Sequence, residues 1–415
     1  MRRNRFESIN ILSGLTVAVV ALPLALGFGI TSGAGAQSGL ITAIVAGFLA
    51  AVFGGSKFQV SGPTGAMTVV LIPLIADLGI SALFLVGILA GSLMILFGLF
   101  RAGSLMERVP WEVLEGFTIG IAFVIAMQQL PLIFNVDKGG GEGSLEIFLA
   151  TLGNIDWSAL ETATLATVAG TLIVKLLWSQ VRKRYARAAH LPASIVAVFV
   201  MTIATLQLDL VRIGEISISG LFDLSPVLTG FPILSLLHAA IVVALLGGIE
   251  SLLAARMADA MAHRQRRVAI EPHDPNRELI GQGIATMGAS MVGGMPATGA
   301  IARTSVNVFA GATSRSSAAI HALFLLSFVL VLSDLVAFIP VAVLGGVLLG
   351  TSLRIANPRS IKEALQTTWQ GRLVLIITAI ITVAVDLMWA FVIGTALALT
   401  LNAFKDRASR TRMKS

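Results

Sequence analysis

Apolar residues in this chain come in long runs, and polar residues gather between them. "LFLVGILAGSLMILFGLF" (83–100) is one such run, and about 20 apolar residues suffice for a helix to cross a bilayer. Fourteen such segments are legible. The first seven cover roughly 10–31, 38–53, 64–77, 80–100, 111–134, 159–180 and 191–208. The second seven cover roughly 233–257, 279–293, 298–311, 317–333, 335–353, 372–387 and 388–404. The pattern predicts an all-α polytopic membrane protein. Segments 3 and 10 are short, and each follows a Gly/Pro-rich stretch.

The placement of cations tests the count. With Arg2, Arg3 and Arg5 inside, every even-numbered segment ends inside. The inside loops then hold Lys57, Arg101, Arg108, "RKRYAR" (182–187), "HRQRR" (263–267), Arg277, Arg315, Arg354, Arg359, Lys362 and the tail "KDRASRTRMKS". The outside loops hold only Lys138 and Arg212. Lys and Arg collect on the cytoplasmic side of membrane proteins, so both termini are expected in the cytoplasm. One added or missed segment would scramble this pattern. The start, "MRRNRFESINILSGL", enters a full-length apolar segment without a small-residue cleavage pattern, so no cleavable leader is expected.

Composition agrees with an inner or plasma membrane location. The chain has 415 residues, 56% hydrophobic and 12% charged, with a mean hydropathy of +0.90. A soluble domain carries about 25% charged residues. The net charge of +7 is accounted for by the inside loops, and no nucleic-acid partner is expected. There is no cysteine, which excludes disulfides and thiolate metal sites. The five histidines form no metal-ligand spacing, and no HExxH, GxSxG or Walker pattern occurs. Neither a cofactor nor an enzyme activity is expected.

Fourteen divides as seven plus seven, and an odd repeat count inserts the second copy upside down. "GGSKFQVSGPTGAM" (54–67) opens segment 3 and "GGMPATGAIART" (293–304) opens segment 10. Both run Gly-Gly, then Pro, then Thr-Gly-Ala, and both fall third in their half. Irregular backbone at membrane depth survives only where protein or a watery cavity surrounds it. Each stretch is therefore predicted to run extended and then start a half-helix, with Thr64 and Thr298 as N-caps. The first-turn N–H groups near Gly65 and Ala66, and near Gly299, Ala300 and Ile301, would face one another near the midplane and make an anion site. The alternative is that these glycines serve close helix packing.

Arg303 adds a full charge one turn into segment 10, where an arginine usually marks a site. Its alternative is a structural ion pair with an acid from another helix. Glu250 lies in the inner half of segment 8, after Gly247 and Gly248, and either binds a cation or proton or pairs with Arg303 or Arg256. Pro23 in "VVALPLALGFG" is predicted to break helix 1 beside the site, or to kink it. Glu115 is expected near a cytoplasmic helix start, and Asn276 and Glu278 of "NREL" at the start of segment 9.

At these residues the sequence resembles the SulP family of anion permeases, prokaryotic relatives of the mammalian sulfate/anion exchangers and prestin. The resemblance spans the whole chain. It is carried by "GLTVAVVALPLALGFGITSGAGAQSGL" (14–40), "SGPTGAM" (61–67), "VPWEVLEGFTIGIA" (109–122) and "NRELIGQGIATMGASMVGGMPATGAIARTSVNVFAGAT" (276–313). It implies a 7+7 inverted repeat like that of uracil permeases, and a homodimer. A core domain would comprise 10–101 and 233–333, and a gate domain 109–210 and 335–404. Residues 405–415 form the tail, at the point where family members usually continue into a cytoplasmic STAS domain. The family site lies between the starts of segments 3 and 10, which names Thr64, Gly65, Ala66, Ala300, Ile301 and Arg303, with Glu250 at the coupling-ion position. Sodium-coupled members similar to this chain have Asp at that position and a hydroxyl residue four later, where this chain has Ala254. The departure favours protons over sodium.

The expected activity is secondary transport of a small anion, with a fumarate-like dicarboxylate and a proton moving together. Sodium-coupled bicarbonate or sulfate transport is the alternative. A nucleobase permease would have little use for Arg303, and a channel or motor little use for Glu250.

Overall fold

The computed structural model describes residues 2–106, 109–141, 143–185, 192–214, 232–266, 271–356, 361–362, 366–385 and 387–412. Arg108, Arg187, Arg267 and Arg359 of the basic loops lie outside the described residues.

Each apolar segment overlaps a helix. The first half holds α1 (Arg2–Ser32), α2 (Ala36–Phe53), α3 (Gly65–Leu78), α4 (Ala82–Leu99), α5 (Gly103–Met106), α6 (Trp111–Met127), α7 (Leu130–Phe134), α8 (Ser144–Gly153), α9 (Thr162–Arg184) and α10 (Ala193–Ala204). The second half holds α11 (Ile233–Arg266), α12 (Pro275–Met291), α13 (Ile301–Phe309), α14 (Ser316–Ala337), α15 (Val341–Ile355), α16 (Trp369–Ala384) and α17 (Leu387–Arg412). Among the described residues, seven helical spans, one of them α6 together with α7, are long and apolar enough to cross a membrane. The chain is a multi-pass membrane protein.

Three features depart from the reading of the sequence. Segment 5 is two helices, because Pro131 lacks an N–H and its ring clashes with the carbonyl four residues back, that of Met127, where α6 ends. The stretch after it, read as a loop, contains α8. Pro23, expected to break helix 1, sits inside the continuous α1. Neighbouring helices pack around it: Val20, Ala21, Leu22 and Leu24 are all buried, and such packing lets a membrane helix run through a proline.

The main core is built from α1, α3, α4, α6, α11 and α15. Small residues let helices around this core approach closely. A Cβ on Gly91 of α4 would lie 2.5 Å from the Gly283 carbonyl oxygen of α12, so side chains larger than hydrogen would force these helices apart.

Two strands of two residues each interrupt the helices. β1 (Ser61–Gly62) and β2 (Thr298–Gly299) pair antiparallel, with Ser61 opposite Gly299 and Gly62 opposite Thr298. The two Gly/Pro stretches that match in sequence are thus joined in space. Because the strands are antiparallel, α3 and α13 leave the pair in opposite directions, and their N-termini flank it.

Candidate functional site

Backbone inside a membrane must have its hydrogen bonds supplied by protein, and the chain supplies them here with polar side chains. The turn before β1 is held from both sides. Glu278 Oε2 accepts from the N–H groups of Gly55 and Ser56, each at 2.8 Å. Arg315 donates through Nε to the Ser56 carbonyl and through Nη2 to the Gly55 carbonyl, both at 3.1 Å. Further along, Val60 N–H donates to Thr304 Oγ1 at 3.0 Å, and Ala300 N–H donates to the Val60 carbonyl at 2.9 Å. Ser61 donates to Gln282 Oε1 at 2.6 Å, and the Gln282 amide donates to the Ala297 carbonyl at 2.9 Å. Gly299 N–H donates to Ser251 Oγ at 3.0 Å.

Helix α12 therefore carries Glu278, Gln282 and Thr286 toward the two extended stretches, Thr286 donating to the Ala297 carbonyl at 3.1 Å. Glu278 is not a simple helix-start residue: it is 2% exposed, and the N-cap is Asp274, which accepts from Asn276 and Arg277 N–H. The signal for this stripe was present in the sequence. Residues four apart share a helix face, and a polar residue at every fourth position of an apolar helix points to a polar partner.

Thr64 caps α3 as expected, accepting from Met67 N–H. Thr298 does not cap α13. Pairing in β2 keeps the chain extended for two more residues, so Ala300 is the N-cap and the helix begins at Ile301. The Ala300 N–H is used by Val60 and is not available to an anion. The first-turn groups without an intrahelical partner are those of Gly65 and Ala66 on α3, and of Ile301, Ala302 and Arg303 on α13.

The hydroxyl of Thr298 is turned instead to Glu250. Thr298 Oγ1 lies 2.6 Å from Glu250 Oε2, Thr64 Oγ1 lies 2.9 Å from the same oxygen, and the two hydroxyl oxygens are 3.0 Å apart. Three oxygens thus form a closed triangle, one from each half-helix stretch and one from α11. Each Thr hydroxyl has one hydrogen to donate. An ionised Glu250 leaves two hydrogens for three contacts. A protonated Glu250 supplies the third, so that each oxygen donates once around the ring.

Arg303 is 1% exposed and is the largest fully buried side chain among the described residues. Its Nη2 donates to the Pro63 carbonyl, one residue before the α3 cap. Its Nη1 has no hydrogen-bond partner among the described residues. Among the described residues, Arg303 is not part of an ion pair such as Lys57–Glu271 or His273–Asp259, although the charge of Glu250 acts on it. Gly62, at φ +151°, gives the guanidinium its room, since a Cβ there would run into Nη1. Glu250, Ile301 and Ala302 are half-buried, whereas Thr64, Gly65 and Ala66 are buried. Pro23 is not brought into this set by any described contact.

A cavity of about 1450 Å³ lies farther along the same helices, lined by Val69 and Val70 of α3, Val242 of α11, and Asp77, Lys138 and Glu146. At the α3 start, Gly65 packs against Phe28 of α1 and Ile125 of α6.

Against known proteins, a profile of the sulfate permease family matches residues 8–378. The chain is 34% identical over 404 residues to YvdB of Bacillus subtilis (strain 168), named as a candidate sulfate transporter, an alignment covering 94% of this chain and 72% of that one. It is 33% identical over 409 residues to the bicarbonate transporter BicA of Picosynechococcus sp. (strain ATCC 27264 / PCC 7002 / PR-6), covering 94% and 69%. The solved transmembrane domain of a cyanobacterial BicA superposes with a TM-score of 0.82 at 32% identity, over 93% of this chain and 97% of that one. The chain belongs to the sulfate permease family.

Proposed function

We propose that this chain moves a small inorganic oxyanion across the membrane together with a proton, by alternating access of a core domain (10–101 and 233–333) against a gate domain (109–210 and 335–404). The observation that carries the reading is the oxygen triangle of Glu250, Thr64 and Thr298 between two helix N-termini. The N–H groups of Gly65, Ala66, Ile301 and Ala302, with the free Nη1 of Arg303, form the anion's seat. Helix starts attract anions by their unpaired donors and their dipoles. Glu250 is the coupling group, because the hydrogen count around it closes with a proton. Ala254, one turn further along α11, offers no side-chain oxygen to a sodium ion.

Relatives named for bicarbonate and sulfate favour those oxyanions over a fumarate-like dicarboxylate. The packing of Gly65 on Ile125 supports the division of labour: the gate helix α6 covers the anion end of α3, and separating the two would open the seat toward the cavity beyond. Uptake of labelled bicarbonate, sulfate and fumarate into proteoliposomes, with and without a pH gradient and sodium, tests the assignment. Accumulation of bicarbonate or sulfate driven by an inward proton gradient, without sodium, is the expected outcome. Accumulation that requires sodium overturns the proton assignment, and fumarate uptake alone overturns the oxyanion class.

The fourteen spans form a 7+7 inverted repeat in this reading, with both termini cytoplasmic. Single cysteines at Gly140 and Ser409 should react with an impermeant thiol reagent from outside and from inside respectively. Reaction of both from one side would rule the arrangement out.

A further inference from the structure

Lys175 lies well inside α9, nine residues before its end at Arg184, in a helix whose neighbouring positions Leu176 and Leu177 are 67% and 61% exposed. Its ammonium group reaches across to α15. There it donates to the Val347 carbonyl at 2.7 Å and to Thr351 Oγ1 at 3.4 Å. An ammonium has three hydrogens, so one remains without an acceptor among the described residues. No acidic side chain stands against it among the described residues.

Its charged neighbours are cations. Arg354, at the end of α15, acts on Lys175, and Arg182, two turns beyond Lys175 on α9, acts in turn on Arg354. Both arginines are exposed, and among the described residues neither makes a hydrogen bond or an ion pair. Three like charges drawn together, with donors unspent, call for an anion from outside the chain. The surroundings say which kind. On the same two helices, Leu176 and Leu177, between Lys175 and Arg182, and Leu353, next to Arg354, present exposed apolar surface, Leu353 at 59%. A soluble anion would use only the cations. An amphiphile would use both, with its headgroup on the cations and its acyl chains along the leucines. Basic pockets between membrane helices on the cytoplasmic side bind anionic headgroups in this way.

We propose that Lys175, Arg182 and Arg354 form a binding site for the phosphodiester headgroup of an anionic lipid, held between α9 and α15 with its acyl chains against the exposed leucines. The site lies in the scaffold half of the molecule, away from Glu250. Its occupancy would fasten α9 to α15 and steady the part against which the core domain moves.

The test is thermal unfolding of the delipidated protein in detergent, titrated with phosphatidylglycerol, with phosphatidylcholine and with inorganic phosphate. Phosphatidylglycerol is expected to raise the Tm by at least about 2 °C at saturation, with no shift from the other two. Each cation contributes about a fivefold gain in affinity for an anionic lipid, so R182Q/R354Q should weaken the half-saturating concentration about 25-fold. Both substituted positions are exposed, so this variant should fold, and native mass spectrometry counts the phosphatidylglycerol retained by each form. An equal shift with phosphatidylcholine shows a general lipid effect and overturns the site. An equal shift with inorganic phosphate shows a free-anion site and overturns the lipid. Unchanged affinity and retention in R182Q/R354Q remove these residues.

Discussion

Glu250→Gln should abolish accumulation driven by a pH gradient while sparing anion exchange. The amide can keep the geometry of the ring: its NH2, placed where Oε2 stands, donates one hydrogen to each Thr hydroxyl, and one hydroxyl donates to the other, so all three contacts are made. What it loses is the ability to change charge. An anion seated at the helix starts would lie on the order of 7 Å from the carboxylate, and two negative charges at that distance repel by about 2.4 kcal/mol at an effective dielectric of 20. That corresponds to about a 50-fold preference of the anion for the protonated form. By linkage, the anion raises the proton affinity of Glu250 by the same factor. In the parent, uptake should fall as external pH rises, because fewer Glu250 side chains carry the proton that the anion requires. In the variant, exchange should be flat with pH. Concentrative uptake in proteoliposomes under an imposed gradient is the measurement. A variant that still accumulates substrate like the parent makes Glu250 a structural acid.

Arg303→Gln should weaken anion binding by about ten- to hundredfold, the loss expected when a hydrogen bond to a charged group contributing about 1.5–3 kcal/mol is removed. Part of the arginine's role is structural: its Nη2 holds the Pro63 carbonyl just before the α3 cap. The free Nη1 is the part that a ligand would use. Arg303→Lys separates the two. It keeps the charge but not the fork that serves carbonyl and anion together, and should fall between Gln and the parent. Affinity would be measured by titration of purified, monodisperse protein. An unchanged dissociation constant in Arg303→Gln would take the residue out of the site.

Much of this site was legible in the sequence because its physical demands are severe. Glycine and proline at membrane depth, an arginine and a carboxylate within apolar helices are each costly in lipid. Such residues stand out against an apolar chain, and Thr64, Glu250 and Thr298 do converge. The misplacement of the α13 start has a specific cause. A threonine before a helical run reads as an N-cap, and the alternative, a two-residue strand, is set by a partner more than two hundred positions away. Glu278 is in the first turn of α12 as expected, but its further role was hidden for the same reason. Its local context says helix start, whereas its hydrogen bonds go to Gly55 and Ser56. The break at Pro131 was a local signal, hidden by reading 111–134 as one apolar run.

The pairing of β1 with β2 also has a consequence for how the protein is made. Thr64 and Thr298 are 234 positions apart, so the first half of the site leaves the ribosome long before the second exists. Until residues 298–304 are synthesised, Val60 N–H, the Val60 carbonyl and the Pro63 carbonyl lack the partners they hold in the finished structure. Unpaired backbone groups of this kind are not tolerated in lipid. The nascent first half must therefore keep the segment around β1 hydrated or shielded, and the site is completed by a docking event between halves. A chain stalled before residue 298 should remain open to proteases and chaperones at residues 54–64, a period of vulnerability built into the biogenesis of any fold whose centre is shared by its two ends.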